Sequence, residues 1–314
     1  MANKKNKKNK PKRTVTVVQR SIINRLDEKA KEYARLIMDP CAAPLTHPVY
    51  PGGDAGFLFR AVSFFTIFSS ATETAGVLHW TPGYPNSSHT DLIIFGNTSG
   101  TATGATGVSS QGPGKPFLSS NARGARCVAA CLKVTFPGSE SARSGRVHYG
   151  HTTAGTIDLG QTVSADQVAQ LLQHYGRTPT DTIELYWLPG IADTEFNDPT
   201  ESASAVIRDR KASLTVAAAG LPAGVGLTFH LTAIYEWTPA QNLGLANNAL
   251  GKNMSKNSMD DVIDAIKRTG FAFVKHVGMA GLNYMTGGAS SMVQQVFGLM
   301  PSAGRNRSRQ LLLQ

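Results

Sequence analysis

The sequence predicts an all-β protein, an eight-stranded antiparallel jelly-roll β-sandwich with a disordered basic N-terminal arm and helical N- and C-terminal extensions. Three observations predict it. About eight β-prone runs lie between residues 57 and 237, separated by turns rich in Gly, Pro, Ser and Thr. They do not alternate with helices, which disfavours a parallel α/β sheet. Both flanks of the β region instead carry helical periodicity and then a cationic end. Eight antiparallel strands in two sheets is the jelly-roll count, and an immunoglobulin-type sandwich is the competitor on counting alone.

The elements follow in order. Residues 1–13, MANKKNKKNKPKR, hold Lys4, Lys5, Lys7, Lys8, Lys10, Lys12 and Arg13, with no acid and Met1 as the only large apolar side chain. Such a segment cannot bury enough apolar surface to offset the entropy of ordering. Residues 14–18 are β-prone. Residues 21–38 read as a helix, because Ile22, Ile23, Leu26, Ala30, Tyr33, Ala34 and Ile37 form one apolar stripe. Asp39-Pro40 stops it, since proline disfavours the helical conformation in the residue before it. A Pro/Gly-punctuated linker leads to residue 56.

The strands are expected at residues 57–68, 77–81, 92–95, 127–136, 146–152, 182–188, 212–219 and 227–237. Residues 96–114 read as a loop. One helix interrupts, capped by Ser164 with Gln167 three residues on, and its expected buried stripe is Val168, Leu171, Leu172 and Tyr175. Trp80, Trp187 and Trp237 fall in strand-like runs and read as core or interface. After residue 237 the helical pattern returns. Ser258 caps a helix, with Asp260, Asp261 and Asp264 at its positive end. Met259, Val262, Ile263, Ile266, Phe273, Val274 and Val277 are its expected stripe, weakened by Gly270. Residues 278–300 are rich in Gly, Ala and Met, and adapt to irregular partners. The chain thus divides into a basic arm (1–20), an amphipathic helix and linker (21–56), a sandwich (57–238) and a C-terminal helical tail with a basic tip (239–314).

Charge sharpens the picture. The 31 Lys+Arg exceed the 21 Asp+Glu by 10. The arm supplies 7 of that excess, and Arg305, Arg307 and Arg309 supply the other 3. The body between is neutral. Charged residues are 17% of the chain, below the usual ~25%, which fits a surface that faces other protein. Flexible lysines neutralise phosphate and release counterions without reading sequence. The arm has no aromatic for base stacking. The expected partner is therefore a polyanion, bound in a salt-sensitive and non-specific way.

Other classes are disfavoured. Cys41, Cys127 and Cys131 are an odd set without a pairing pattern. On one strand, Cys127 and Cys131 share a face about 13 Å apart, at ~3.3 Å per residue, too far for a bridge. No Cys/His set has zinc spacing, and a reducing compartment fits best. No apolar h-region follows the basic start, and no apolar run approaches the ~18 residues of a membrane span. There is no G-x-S-x-G, Walker loop or H-E-x-x-H. Asp193, Glu195 and Asp198 cluster in one loop as hard oxygen ligands suited to Ca²⁺, which needs six or more. One loop cannot complete that cage, so further ligands, with Asp158 or Asp181 as candidates, have to come from elsewhere.

Some stretches are more specific. Met38-Asp39-Pro40-Cys41-Ala42-Ala43-Pro44-Leu45 with His47-Pro48-Val49-Tyr50 resembles the arm-to-shell junction of noda-like and tombus-like viral coat proteins. Residues 129–135, running through Gly138-Ser139-Glu140 to Arg143-Ser144-Gly145-Arg146-Val147, resemble those coats as well. The likeness covers roughly residues 20–237, and lacks the protruding domain of the larger members. It implies a coat protein of a small icosahedral positive-strand RNA virus, self-assembling in host cytoplasm into a virion around single-stranded RNA, with Ca²⁺ between subunits. It also implies a single self-cleavage, in which an asparagine side-chain amide attacks its own carbonyl beside a buried neutral carboxyl. Asn257-Ser258 is the preferred bond and Asn253-Met254 the second. Asp54 is the expected carboxyl, ahead of Asp39. A freed C-terminal helix would then contact host membrane. The competing reading is a monomeric β-sandwich module that binds nucleic acid or carbohydrate, with the basic arm as a localisation signal.

Overall fold

Apolar residues at two periods organise the chain into two antiparallel sheets and a helical layer. The computed structural model describes residues 25–50, 55–68, 74–82, 91–97, 105–106, 108–157, 162–177, 182–200, 211–240, 255–271 and 273–277. The strands are β1 (Phe57–Ile67), β2 (Ala75–Trp80), β3 (Leu92–Asn97), β4 (Ala105–Thr106), β5 (Val108–Ser110), β6 (Ala122–Thr135) and β7 (Arg146–Thr153). They continue as β8 (Thr162–Val163), β9 (His174–Arg177), β10 (Thr182–Tyr186), β11 (Ala212–Ala219), β12 (Leu227–Pro239) and β13 (Val274–Val277). The first sheet runs β1-β12-β6-β10-β13 and the second β5-β3-β2-β11-β7-β9, with β4 and β8 paired separately. The helices are α1 (Glu28–Met38), α2 (Lys115–Asn121), α3 (Ala165–Ala169) and α4 (Met259–Arg268).

The main core lies between the sheets. Leu132, Leu185, Phe229 and Leu231 of the first sheet join Leu78, Trp80, Leu214 and Val216 of the second. Trp80, Trp187 and Trp237 are all buried. The outer face of the first sheet carries a second core, in which Tyr33, Leu36 and Ile37 of α1 and Val262 and Ile266 of α4 cluster with Val128, Cys131 and Ile234. At one corner of the sandwich Phe68 is buried with φ 62°, and a side chain at Gly76 would meet its ring at 2.1 Å, so only glycine fits there.

Several expectations change. The two main sheets hold five and six strands, more than eight in all. The helix capped by Ser164 and Gln167 forms its capping box but ends at Ala169. Leu171 and Tyr175 are 57% and 79% exposed instead of buried. Residues 174–177 are drawn into the second sheet as β9, because β7 offers an open edge for backbone pairing. The loop expected over residues 96–114 contains β5, and α2 follows it. The C-terminal helix stops at Arg268. Gly270 takes φ 75°, which a residue with a side chain resists, and ends the helical run. Residues 274–277 then pair with β10 as β13. Beyond residue 238, α4 shares the helical core with α1 and β13 pairs with β10 of the first sheet.

β6 carries another correction. A bulge at Val128 shifts its register against β12. The extra residue turns Cys127 into the inter-sheet core and Cys131 toward the helical layer. The two cysteines do not share a face.

Candidate functional site

The helical layer is built from both ends of the sequence. Asp27 caps α1 by accepting from Ala30 N at 2.8 Å. Its other carboxylate oxygen accepts from Ser255 Oγ at 2.8 Å and Lys256 N at 2.6 Å. The Asp27 N–H donates to Asn257 Oδ1 at 2.9 Å. One aspartate thus caps α1 and ties it to the strand of chain that enters α4. Burial pulls its carboxyl upward, but the N–H groups of Ala30, Lys256 and Asn257 and the Ser255 hydroxyl outweigh it and hold the pKa below the ordinary value. Sequence reasoning missed Asp27, although an Asp immediately before an acidic first turn is a helix-start signal.

The expected cleavage bond lies inside this arrangement. Ser258 caps α4, with Asp261 N donating to its Oγ and Asp261 Oδ2 accepting from Ser258 N. Asp261 is held low by the Ser258 N–H and hydroxyl. The carboxyls bonded around Asn257 are therefore both ionised at neutral pH, whereas the implied chemistry asks for a neutral one. Asp54, Asn253, Met254, Asp158 and Asp181 lie outside the described residues, as do residues 1–13, Arg305, Arg307 and Arg309. A cleft of about 180 Å³ between the two helix starts is lined by Arg25, Asn257, Asp261, Asp264 and Arg268, a mixture of charges with no single sign.

Asp27→Ala removes a cap and two cross-links, those from Ser255 Oγ and Lys256 N, and keeps the backbone bond to Asn257 Oδ1. The expected loss is about 1–2 kcal/mol in a denaturant melt. The folded pKa is depressed, so the stabilisation is present above the ordinary aspartate value and lost as pH falls through the folded one. The deficit should be full at neutral pH and shrink as pH falls through and below the ordinary aspartate range.

A second constellation holds the linker and the acidic loop to the first sheet. Glu236 of β12 is fully buried. Its Oε1 accepts from Gly56 N at 2.9 Å and contacts His47 Nδ1 at 2.8 Å. Its Oε2 accepts from Arg126 Nε at 2.7 Å. Arg126 Nη1 donates to Thr194 O at 2.7 Å, and the guanidinium stacks over Phe196 at 4.1 Å. Burial raises the Glu236 carboxyl, but His47, Arg126 and the Gly56 N–H bring it below its ordinary value.

The acidic loop does not assemble its three carboxylates. Asp193 is buried and points inward: its Oδ2 accepts from Gly190 N and Ala212 N, and Lys211 lies 3.6 Å from Oδ1. Asp198 Oδ1 accepts from Thr200 N and Oγ1. Glu195 is exposed. Among the described residues no group of three His, Cys, Asp or Glu side chains is placed to hold a metal ion. Among them, too, no helix is long and apolar enough to cross a membrane.

Both ends of the described body lie at the first sheet. Residue 25 starts at the α1–α4 junction on the outer face of the first sheet, and residue 277 ends the edge strand of that same sheet.

The chain matches no protein-family model and no curated protein sequence. Its fold is similar to solved structures of viral particle subunits. One is from the icosahedral particle of infectious bursal disease virus, with TM-score 0.55 and 10% identity over 90% of this chain and 98% of that one. Another is a VP2 mutant of that virus in derived T=1 particles, with TM-score 0.52 and 9% identity over 84% and 96%. A third, also from T=1 particles derived from that virus, has TM-score 0.51 and 10% identity over 90% and 99%.

Proposed function

We propose that this chain is the subunit of an icosahedral viral capsid, which assembles with copies of itself and packages single-stranded RNA through its two cationic ends. The observation that carries this reading is a placement. The described body begins and ends at the first sheet, at residues 25 and 277, while the excess positive charge lies in segments 1–13 and 301–314 and the residues between them are neutral. In a closed shell with the helical side of that sheet turned inward, both cationic segments meet the same polyanion. The fold similarity to particle subunits over nearly the whole of this chain supports it.

The strand connectivity supports the finer jelly-roll reading. Pairs β1·β12, β6·β10, β2·β11 and β7·β9 are all hydrogen-bonded. With β3, β5, β13 and the β4–β8 pair set aside, these are the rungs of one long hairpin of eight strands, wrapped so that alternate rungs fall in opposite sheets. The noda-like and tombus-like grouping rests on the short sequence stretches alone. Ca²⁺ between subunits would have to use Glu195 and Asp198, because Asp193 is committed to Lys211. Contact of α4 with a host membrane would first require Val262 and Ile266 to leave the helical core.

Electron microscopy of the purified full-length chain tests the proposal. Uniform closed shells with nucleic-acid absorbance are expected. A chain with intact ends that stays monomeric at high concentration in the presence of single-stranded RNA would point to the binding-module reading instead.

A further inference from the structure

Cys41 lies in the turn that ends α1, where Ala43 N donates to Asp39 O at 2.9 Å. Cys131 sits on β6, fully buried and turned toward the helical layer by the bulge at Val128. Their sulfurs are 3.5 Å apart. A disulfide needs about 2.05 Å, so ~1.5 Å of sulfur movement closes the bond. Cys41 is half-buried in its turn, with Thr232 Oγ1 3.6 Å from its sulfur, whereas Cys131 lies within a strand.

We propose that Cys41 and Cys131 are a reversible thiol–disulfide pair that clamps helix α1 onto the first sheet.

The surroundings divide the roles. The hydrogen bond from Cys131 lowers the Cys41 pKa, with the Lys133 ammonium and Thr232 hydroxyl assisting against burial. The same hydrogen bond and complete burial raise Cys131. Cys41 is therefore both the reachable sulfur and the one that ionises. With a small-molecule disulfide as oxidant, the Cys41 thiolate attacks one of its sulfurs and expels a thiolate, leaving a mixed disulfide. Cys131 then gives up its proton and attacks the Cys41 sulfur, expelling the second small thiol. Two protein thiols become one disulfide. The small-molecule disulfide becomes two thiols, which take both protons. Cys127 faces the opposite side of β6 and has no part in the exchange. The bond closes a loop across a sequence separation of 90 and removes entropy from the unfolded chain.

The pair belongs to the single chain, so its test does not depend on shell formation. The reduced full-length protein is incubated with glutathione disulfide, then read by non-reducing peptide mapping and thermal melting. The expected product links the Cys41 and Cys131 peptides, leaves Cys127 free to alkylate, raises Tm by about 5–10 °C, and reverts on adding dithiothreitol. Cys41→Ser should show neither the link nor the rise. Cys131→Ala should stop at a mixed disulfide on Cys41. If Cys131→Ala does not fold, the wild-type map and Cys41→Ser still decide. A mixed disulfide that persists at Cys41 in the wild-type chain, a link through Cys127, or an equal Tm rise in Cys41→Ser would overturn the proposal.

Discussion

Deleting residues 1–13 and replacing Arg305, Arg307 and Arg309 with glutamine is expected to reduce affinity for single-stranded RNA by at least about 10³-fold at 50 mM salt. The reasoning is electrostatic. The ten excess cations of the chain all lie in these two segments. Each phosphate neutralised on a single strand contributes about −0.7 to the slope of log K against log salt. Seven to ten contacts give a slope of about −5 to −7, a fall of roughly 10³–10⁴ between 50 and 200 mM. Fluorescence anisotropy on two unrelated RNA sequences checks it. Both should give the same steep slope with the full chain, and a slope near zero with the altered one. A shallow slope in the full chain, or tenfold preference for one sequence, would mean that a folded surface reads the RNA. The α1–α4 surface is a poor candidate for that, since Arg25 and Arg268 share their cleft with Asp261 and Asp264.

Local signals made most of the sandwich legible, and tertiary pairing hid the rest. The long alternating runs at β1 and β12 are readable because their inward faces repeat every second residue, and the structure pairs them from Phe57↔Trp237 to Ile67↔Leu227. β9 was not readable. His174–Arg177 has no alternation, and Leu171 and Tyr175 fit a helical stripe, so only the open edge of β7 selects strand there. β13 was hidden in the same way, by apolar residues that continue the α4 period past Gly270. The caps were legible: Ser164 and Ser258 both sit in the expected boxes. The chemistry-bearing groupings were not. Glu236 meets His47 across 189 residues and Arg126 across 110. Cys41 meets Cys131 across 90 residues, and one inserted residue in β6 puts Cys127 on the other face. No spacing rule reaches contacts of that separation.

The Glu236 constellation should dominate the stability of the body. Removing either member of its buried ion pair strands the other charge in a buried site. Glu236→Leu leaves the Arg126 guanidinium with Thr194 O and two aromatic faces, and leaves the Gly56 N–H without its acceptor. Arg126→Met leaves a buried carboxylate facing His47 and the Gly56 N–H among the described residues. Each single change is expected to cost about 3–5 kcal/mol in urea unfolding. The double change should cost clearly less than the sum, with a coupling of up to about 3 kcal/mol, because an apolar pair no longer pays to bury a charge. It should not recover fully, since the Gly56 N–H still lacks an acceptor, a loss of about 1–3 kcal/mol. The pH dependence has a definite sign. The folded Glu236 pKa lies below the ordinary glutamate value, so its contribution is present above that value and lost as pH falls through the folded one. Wild type should therefore lose stability on acidification below about pH 4, and the double variant should lose less. Additive single costs, or equal acid sensitivity in both proteins, would show that the linker and the acidic loop are held by the surrounding apolar contacts and not by this carboxylate.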